Sequence, residues 1–188
     1  MWKRISKKEI HDFGFFLKVE SHVVRSPKGN IISDWAYLNS PDWVSVVPVN
    51  KYGEIVCFSQ QKYAIKGQSL AFPGGYIEKG ESALNCAKRE LREEAGLKAR
   101  RWIKLGEYTV DSNRGMGTGY FFLALDAKEG PGKRDIDQET LDKPHALSVP
   151  RARKLLKSNK FKLLAWSAAL GLALNHLANE EYNPFQKF

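Results

Sequence analysis

Gly75-Tyr-Ile-Glu-Lys-Gly-Glu81-Ser-Ala-Leu-Asn-Cys-Ala-Lys-Arg89-Glu90-Leu91-Arg92-Glu93-Glu94-Ala95-Gly96-Leu97 is the stretch that decides how this chain reads. Ser82 to Ala95 has helical periodicity, opens after Gly80-Glu81 and stops at Gly96, a residue suited to the left-handed position after a helix. At 100° per residue, Leu84, Ala87, Leu91 and Ala95 form an apolar stripe able to pack on a sheet. Beside it, Glu90, Glu93 and Glu94 share one arc, because they stand at i, i+3 and i+4. Three carboxylates so placed repel one another unless cations intervene. Hard divalent ions bind through a few carboxylates together with substrate phosphates, so the pattern suits a metal site for a phosphorylated substrate. On their own the glutamates read rather as a solvated face paired with Lys88, Arg89 and Arg92, since charged faces are usually just solvated. The flanks favour the metal reading: Phe72-Pro-Gly-Gly75 is a turn that brings backbone carbonyls close to the helix.

Outward from this core, the alternation predicts strands at Phe15–Val24, Asn30–Tyr37, Trp43–Val49 and Ile55–Gln60, with turns at Ser26-Pro-Lys-Gly-Asn30 and Asn50-Lys-Tyr-Gly53. Downstream, Trp102–Val110 and Tyr120–Leu125 read as strands around a Gly-rich loop, Asn113–Gly119. Asp126–Asp142 is charged and irregular. Arg151–Leu156 reads as a short helix and Lys162–Asn179 as a long one. Asn39-Ser-Pro-Asp42 divides residues 1–42, an antiparallel β appendage, from a main domain over 43–188. Strands with helices inserted after them point to an α+β or α/β layered fold.

Of the 188 residues 43% are apolar and 27% charged, which excludes wholesale disorder, collagen-like repeats and coiled coil. The net charge of +9 favours polyanionic partners without choosing among nucleotides, nucleic acid and membrane surfaces. The apolar run Leu163–Leu174 falls well short of the roughly 20 residues a bilayer requires. The basic N-terminus lacks the apolar core of a signal peptide. Cys57 and Cys86 are too few for a disulfide framework and read as reduced core residues, so a cytoplasmic location is expected.

Gly75, Glu81, Arg89, Glu90, Leu91, Glu93, Glu94, Gly96 and Leu97 satisfy every specified position of the Nudix box, G-x5-E-x7-R-E-U-x-E-E-x-G-U. A chance match in a chain this long has a probability on the order of 10⁻⁸. The chain therefore resembles the Nudix hydrolases. The resemblance implies an α+β, α/β/α sandwich with a mixed sheet between helices and the box as loop–helix–loop. It also implies hydrolysis of a nucleoside diphosphate linked to another moiety with Mg²⁺, or Mn²⁺ as substitute. Carried over by position, Glu90, Glu93 and Glu94 become metal ligands, with the Gly74 carbonyl as a further one. Arg89 orients the glutamates by ion pairing. Glu81 braces the loop or reaches metal through water. Gln60-Gln-Lys62, Phe-Pro-Gly-Gly, Asp137-Gln-Glu139 and the closing helix look like the ADP-ribose pyrophosphatase branch. There a loop glutamate near Glu139 positions the attacking water, and the N-terminal strands pair two subunits into a homodimer.

The expectation is thus a diphosphate-cleaving enzyme acting on ADP-ribose or a related nucleotide sugar, with Glu93, Glu94, Glu139 and Arg89 as catalytic candidates. Substrate contacts fall to Lys62, Glu81, Arg114 and Trp35. Arg114 offers a guanidinium fork to a diphosphate, or is simply an exposed arginine on a loop. Trp35 or Tyr37 offers a ring to adenine, although the five tryptophans read mainly as core or interface. The four histidines have no metal-ligand spacing and read as structural or solvated. Gly115-Met-Gly-Thr-Gly119 is a weak phosphate-cradle signal. Basic clusters at Lys3–Lys8, Lys98–Lys104 and Arg151–Lys162 come without a nucleic-acid reading motif, so nucleic acid is not expected as a partner. The rival functions are a nucleoside-triphosphate or RNA-end hydrolase and a non-catalytic nucleotide-sensing module.

Overall fold

A computed structural model describes residues 1–130 and 142–179. The chain divides into two compact units: Met1–Trp43 with Tyr108–Gly119, and Val44–Glu107 with the chain from Tyr120 onward.

In the first unit, β1 (Lys3–Asp12), β2 (Lys18–Arg25) and β3 (Ile31–Asn39) form an antiparallel meander. Gly29, at φ +91°, closes the β2–β3 turn, where its N–H donates to Ser26 O at 2.9 Å. The buried face of β2 carries Glu20, His22 and Val24. Two of those are polar, an arrangement tolerated in an interior only with partners. Lys7 Nζ donates to Glu20 Oε1 at 2.6 Å, and His22 Nε2 shares a hydrogen bond with Glu20 Oε2 at 2.7 Å. Hydrogen bonds from Lys7 and then His22 hold the Glu20 carboxyl down at about 2. A lowered pKa stabilises the fold above the ordinary glutamate range, and that contribution disappears as pH falls toward 2. Chemical denaturation of wild type and Glu20→Gln at pH 6 and pH 3 checks this. The stability advantage of wild type shrinks at pH 3, and an equal advantage at both values overturns the assignment.

The second unit contains most of β4 (Trp43–Asn50), then β5 (Ile55–Gln60), β6 (Ser69–Ala71), α1 (Ala83–Ala95) and β7 (Leu97–Lys98). β8 (Arg101–Asp111) and β9 (Gly115–Glu129) have residues in both units; β10 (His145–Leu147), α2 (Val149–Lys157) and α3 (Leu164–Asn179) complete the second. Its strands run β9–β4–β5–β10, with β6 on β5 and β7 and β8 on β9. Antiparallel hairpin geometry joins β4 to β5, and Asn50 Oδ1 accepts from Tyr52 N and Glu54 N in the turn. Val44, Val46, Phe122 and Ala124 pack with Cys86, Ala87, Leu91 and Ala95 of α1. Val47 and Val49, on the other face of β4 by the two-residue period, are also fully buried, so both faces of this strand are covered. α3 supplies buried Trp166, Ala169, Leu170 and Ala173, and Phe161 stacks on Phe72 at 5.0 Å. This is the α+β arrangement expected. No helix among the described residues is long and apolar enough to cross a membrane.

Several expectations are corrected. Lys3–Asp12 is a strand although every residue in it is exposed, so it has no apolar period to betray it. β6 and β10 are three residues each, too short for a periodic signal. β9 begins at Gly115 and continues to Glu129, so the glycine-rich run is strand and not loop, and Asp126–Glu129, expected to be irregular, is strand as well. Within the first unit, a Cβ on Gly115 would stand 2.6 Å from the Tyr37 ring, and one on Gly119 2.6 Å from Trp43; one on Gly117 would overlap Pro41 O. These glycines permit close packing and do not form a phosphate cradle. Of the five tryptophans, Trp166 alone is buried; Trp2 is exposed and the others are half-buried.

Candidate active site

α1 is set in place by a cap at each end, of which the sequence announces Gly96. The Ser82 side chain accepts from Asn85 N, and Gly96, at φ +68°, donates its N–H to Arg92 O. Ahead of the helix, Phe72–Gly75 runs along β4: Val46 N donates to Pro73 O and Val44 N to Gly75 O, both at 2.9 Å. Neither glycine of this turn has room for a side chain. A Cβ on Gly74 would overlap Val44 O, and one on Gly75 would overlap the Glu90 carboxylate. The paired glycines thus let the turn lie directly against the helix and the strand.

Arg89 is the hub of the site. Its Nε and Nη2 donate to the two oxygens of Glu81 at 3.1 and 3.0 Å, a bidentate fork. Nη1 donates to Glu90 Oε1 at 2.7 Å and Glu93 Oε2 at 3.2 Å, and Nη2 also reaches Tyr76 O at 3.1 Å. Glu93 Oε1 accepts from Arg92, while Glu94 Oε2 accepts from Gly74 N at 2.9 Å. The Arg89 fork holds the Glu81 carboxyl below the usual range, and these carboxylates in turn raise the guanidinium above its own. Glu90 is 8% exposed, and burial pushes its carboxyl up despite Arg89. Burial pushes the Cys86 thiol up to about 12, which leaves it a packing residue.

Among the described residues, no three His, Cys, Asp or Glu side chains converge as a ready metal cage. Arg89 stands between the carboxylates and draws Glu81, Glu90 and Glu93 toward itself. The donor set is nonetheless all oxygen, as hard divalent cations require, and buried Glu90 gains from a positive neighbour. The chemistry of these residues fits such an ion.

The structure therefore gathers Gly74, Glu81, Arg89, Glu90, Glu93 and Glu94 in one place. Lys62 lies half-buried in the connection after β5. Trp35 and Arg114 belong to the first unit, where they line a cavity of about 440 Å³ with Ile32, Asp34, Ala36 and Asn113. There Trp35 Nε1 donates to Asn113 O at 2.6 Å, and Asp111 accepts from the Asn113 and Arg114 amides at 2.8 Å. Glu139, with Asp137, lies outside the described residues. Sequence reasoning missed the Tyr76 carbonyl and the Gly74 amide, since a backbone group leaves no trace in residue identity. The adjacent glycines Gly74-Gly75 were the available signal.

Residues 40–167 match the family model described as NUDIX domain. The chain is 25% identical over 185 residues to the ADP-ribose pyrophosphatase of Bacillus subtilis (strain 168), covering 98% of this chain and 97% of that protein. It is 40% identical over 50 residues, 27% of its length and 37% of the relative's, to the 8-oxo-dGTP diphosphatase of Haemophilus influenzae (strain ATCC 51907 / DSM 11121 / KW20 / Rd). A crystal structure described as an ADP compounds hydrolase superposes with a TM-score of 0.78 at 20% identity, over 95% of each chain.

Proposed function

Because the chain belongs to the Nudix family, we propose that it is a metal-dependent pyrophosphohydrolase of ADP-ribose or a related nucleotide sugar. The observation that carries this is the carboxylate set of α1 organised by Arg89. The likeness to an ADP-ribose pyrophosphatase over nearly the whole chain supports the choice of substrate.

Water forms a new bond to one phosphorus and the bridging P–O bond breaks. The products are a nucleoside monophosphate and a sugar phosphate, with the water proton passing to a carboxylate. Glu90, Glu93, Glu94 and the Gly74 carbonyl would hold Mg²⁺, or Mn²⁺ in its place. The ion would supply charge neutralisation and a more acidic water. Arg89 holds Glu90 and Glu93 in fixed orientation, and Glu81 ties Arg89 to the loop through the Glu78 amide. Glu93, Glu94 or Glu139 takes the proton. Lys62, Trp35 and Arg114 are assigned to substrate, Trp35 through its ring and Arg114 through its fork.

Product analysis over nucleotide sugars, dinucleotides and nucleoside triphosphates with Mg²⁺ tests the reading. ADP-ribose yielding AMP and ribose 5-phosphate is the expected result. Preference for 8-oxo-dGTP replaces it with the triphosphatase alternative. Hydrolysis ceases in EDTA and returns with Mg²⁺ or Mn²⁺; undiminished hydrolysis after exhaustive chelation removes the metal from the mechanism.

The same reading makes the protein a cytoplasmic homodimer through residues 1–42. Ile5, Ile10, Phe13, Phe15, Phe16 and Ile31 of this segment are exposed, an apolar display that a second copy would cover. Light scattering gives twice the mass of the 21.3 kDa chain at micromolar concentration. A monomer there refutes the dimer.

A further inference from the structure

The basic cluster Arg151–Lys162 has no part in the site above, yet the fold folds part of it into a cleft. In the second unit, α2 lies beside β5, β6 and β10, and a cavity of about 320 Å³ opens there. It shares no residue with α1 or with Phe72–Glu81. His145, Arg151 and Lys160 line it, together with polar Ser59 and Gln68 and apolar Leu155. Among the described residues that line it there is no aspartate or glutamate, although the Asp142 amide donates to Ser59 O at 3.1 Å beside it.

The three nitrogen-bearing side chains come from three separately anchored positions. His145 pairs with Cys57 across β10 and β5, and its Nε2 lies 3.5 Å from Cys57 Sγ. Lys160 is pinned at both ends of its peptide unit: its N–H donates to Leu155 O at 3.0 Å, and its carbonyl accepts from Leu70 N at 2.9 Å and from Ser69 Oγ at 3.3 Å. Arg151 stands in the first turn of α2, where the chain runs directly from β10 through Ser148. Exposed cationic and hydrogen-bonding side chains on anchored backbone positions, beside Leu70, Leu147 and Leu155, compose an open pocket suited to a small anion. The volume lies at the lower end of the range of about 300–1,000 Å³ for such pockets, room enough for a single sugar or nucleoside. Among the described residues His145 contributes the one ring and no Phe, Tyr or Trp lines it, so it lacks the extended stacking platform of a single-stranded nucleic-acid groove.

We propose that the cleft between α2 and the β5–β6–β10 edge is a second ligand site, accepting the phosphate of a small phosphomonoester. Arg151 and Lys160 take the phosphate oxygens, while Gln68 and the leucines hold the organic part. The assignment stands on the cleft alone and does not depend on which substrate the α1 site takes.

Amide NMR of the full chain in EDTA, titrated separately with inorganic phosphate, ribose 5-phosphate, AMP and a ten-nucleotide single strand, tests this. Saturable binding of ribose 5-phosphate or AMP is expected, with shifts at Gln68, Leu147 and Leu155. Inorganic phosphate binds at least about tenfold more weakly. Arg151→Glu or Lys160→Glu weakens binding about tenfold or more, with circular dichroism and hydrolysis unchanged. Arg151→Gln, a milder change, gives a smaller loss if the charge reversal unfolds α2. Shifts confined to residues 74–94, equal binding by both glutamate variants, or inorganic phosphate binding as well as the organic phosphates each overturn the proposal. Tighter binding of the oligonucleotide overturns it in favour of a nucleic-acid surface.

Discussion

Glu94→Gln lowers kcat by about 10²-fold or more, and Glu93→Gln does the same, while thermal unfolding stays within a few degrees of wild type. The amide keeps the shape of the carboxylate, so Gly74 N retains an oxygen acceptor where Glu94 Oε2 now stands at 2.9 Å. What disappears is the negative charge, which both cation binding and proton acceptance require. Steady-state rates at saturating Mg²⁺, paired with melting curves, separate the two effects. Near-normal turnover in either variant removes that residue from the machinery. Equal loss of activity and of fold shows a bracing role only.

Arg89→Ala has the second large effect, and it acts on stability as well as rate. The substitution removes the partner of Glu81, Glu90 and Glu93 together, and leaves Glu90 charged at 8% exposure without its 2.7 Å donor. An uncompensated buried charge is far costlier than a missing pair, so a loss on the order of 2 kcal/mol or more is expected in chemical denaturation. Turnover falls by about 10²-fold or more, since the glutamates lose their common orientation. Arg89→Lys restores charge but cannot reproduce the fork to Glu81, so it recovers stability only in part. Wild-type stability in Arg89→Ala contradicts the hub.

The two halves of the fold differ in how openly the sequence displays them. The helix Ala83–Ala95 was legible to within a residue because two signals agree, an apolar stripe and a Gly96 stop. Ile55–Gln60 was legible because the run is uniformly apolar until its end. β1 was not, since a strand exposed along its whole length needs no hydrophobic period. Gly115–Gly119 misled for a related reason. Glycine signals a loop by default, whereas here it admits Tyr37 and Trp43 against the strand, a requirement set by residues some 80 positions away in the chain. The buried Glu20 and His22 were likewise opaque, because only the cross-strand register places Lys7 beside them.

For the site, Glu90, Glu93 and Glu94 could be read from spacing on one helix, since helical geometry is fixed locally, whereas Arg89 came with the family resemblance. The cavity at Trp35 and Arg114 could not. It arises where β3 meets the β8–β9 turn, through the Leu38–Gly115 bridge and the bond from Trp35 to Asn113. No periodicity reports a pairing of that kind.

The loop Gly74–Glu81 is tied to α1 and to itself through its backbone. Its Gly74 and Glu78 amides donate to Glu94 and Glu81, and its Tyr76 carbonyl accepts from Arg89. Though irregular in backbone, the loop opens only when these side chains of α1 and its approach let go. It forms one cooperative unfolding unit with the helix. Its Gly74 amide should then exchange with deuterium on the timescale of the helix interior, orders of magnitude slower than an ordinary surface loop.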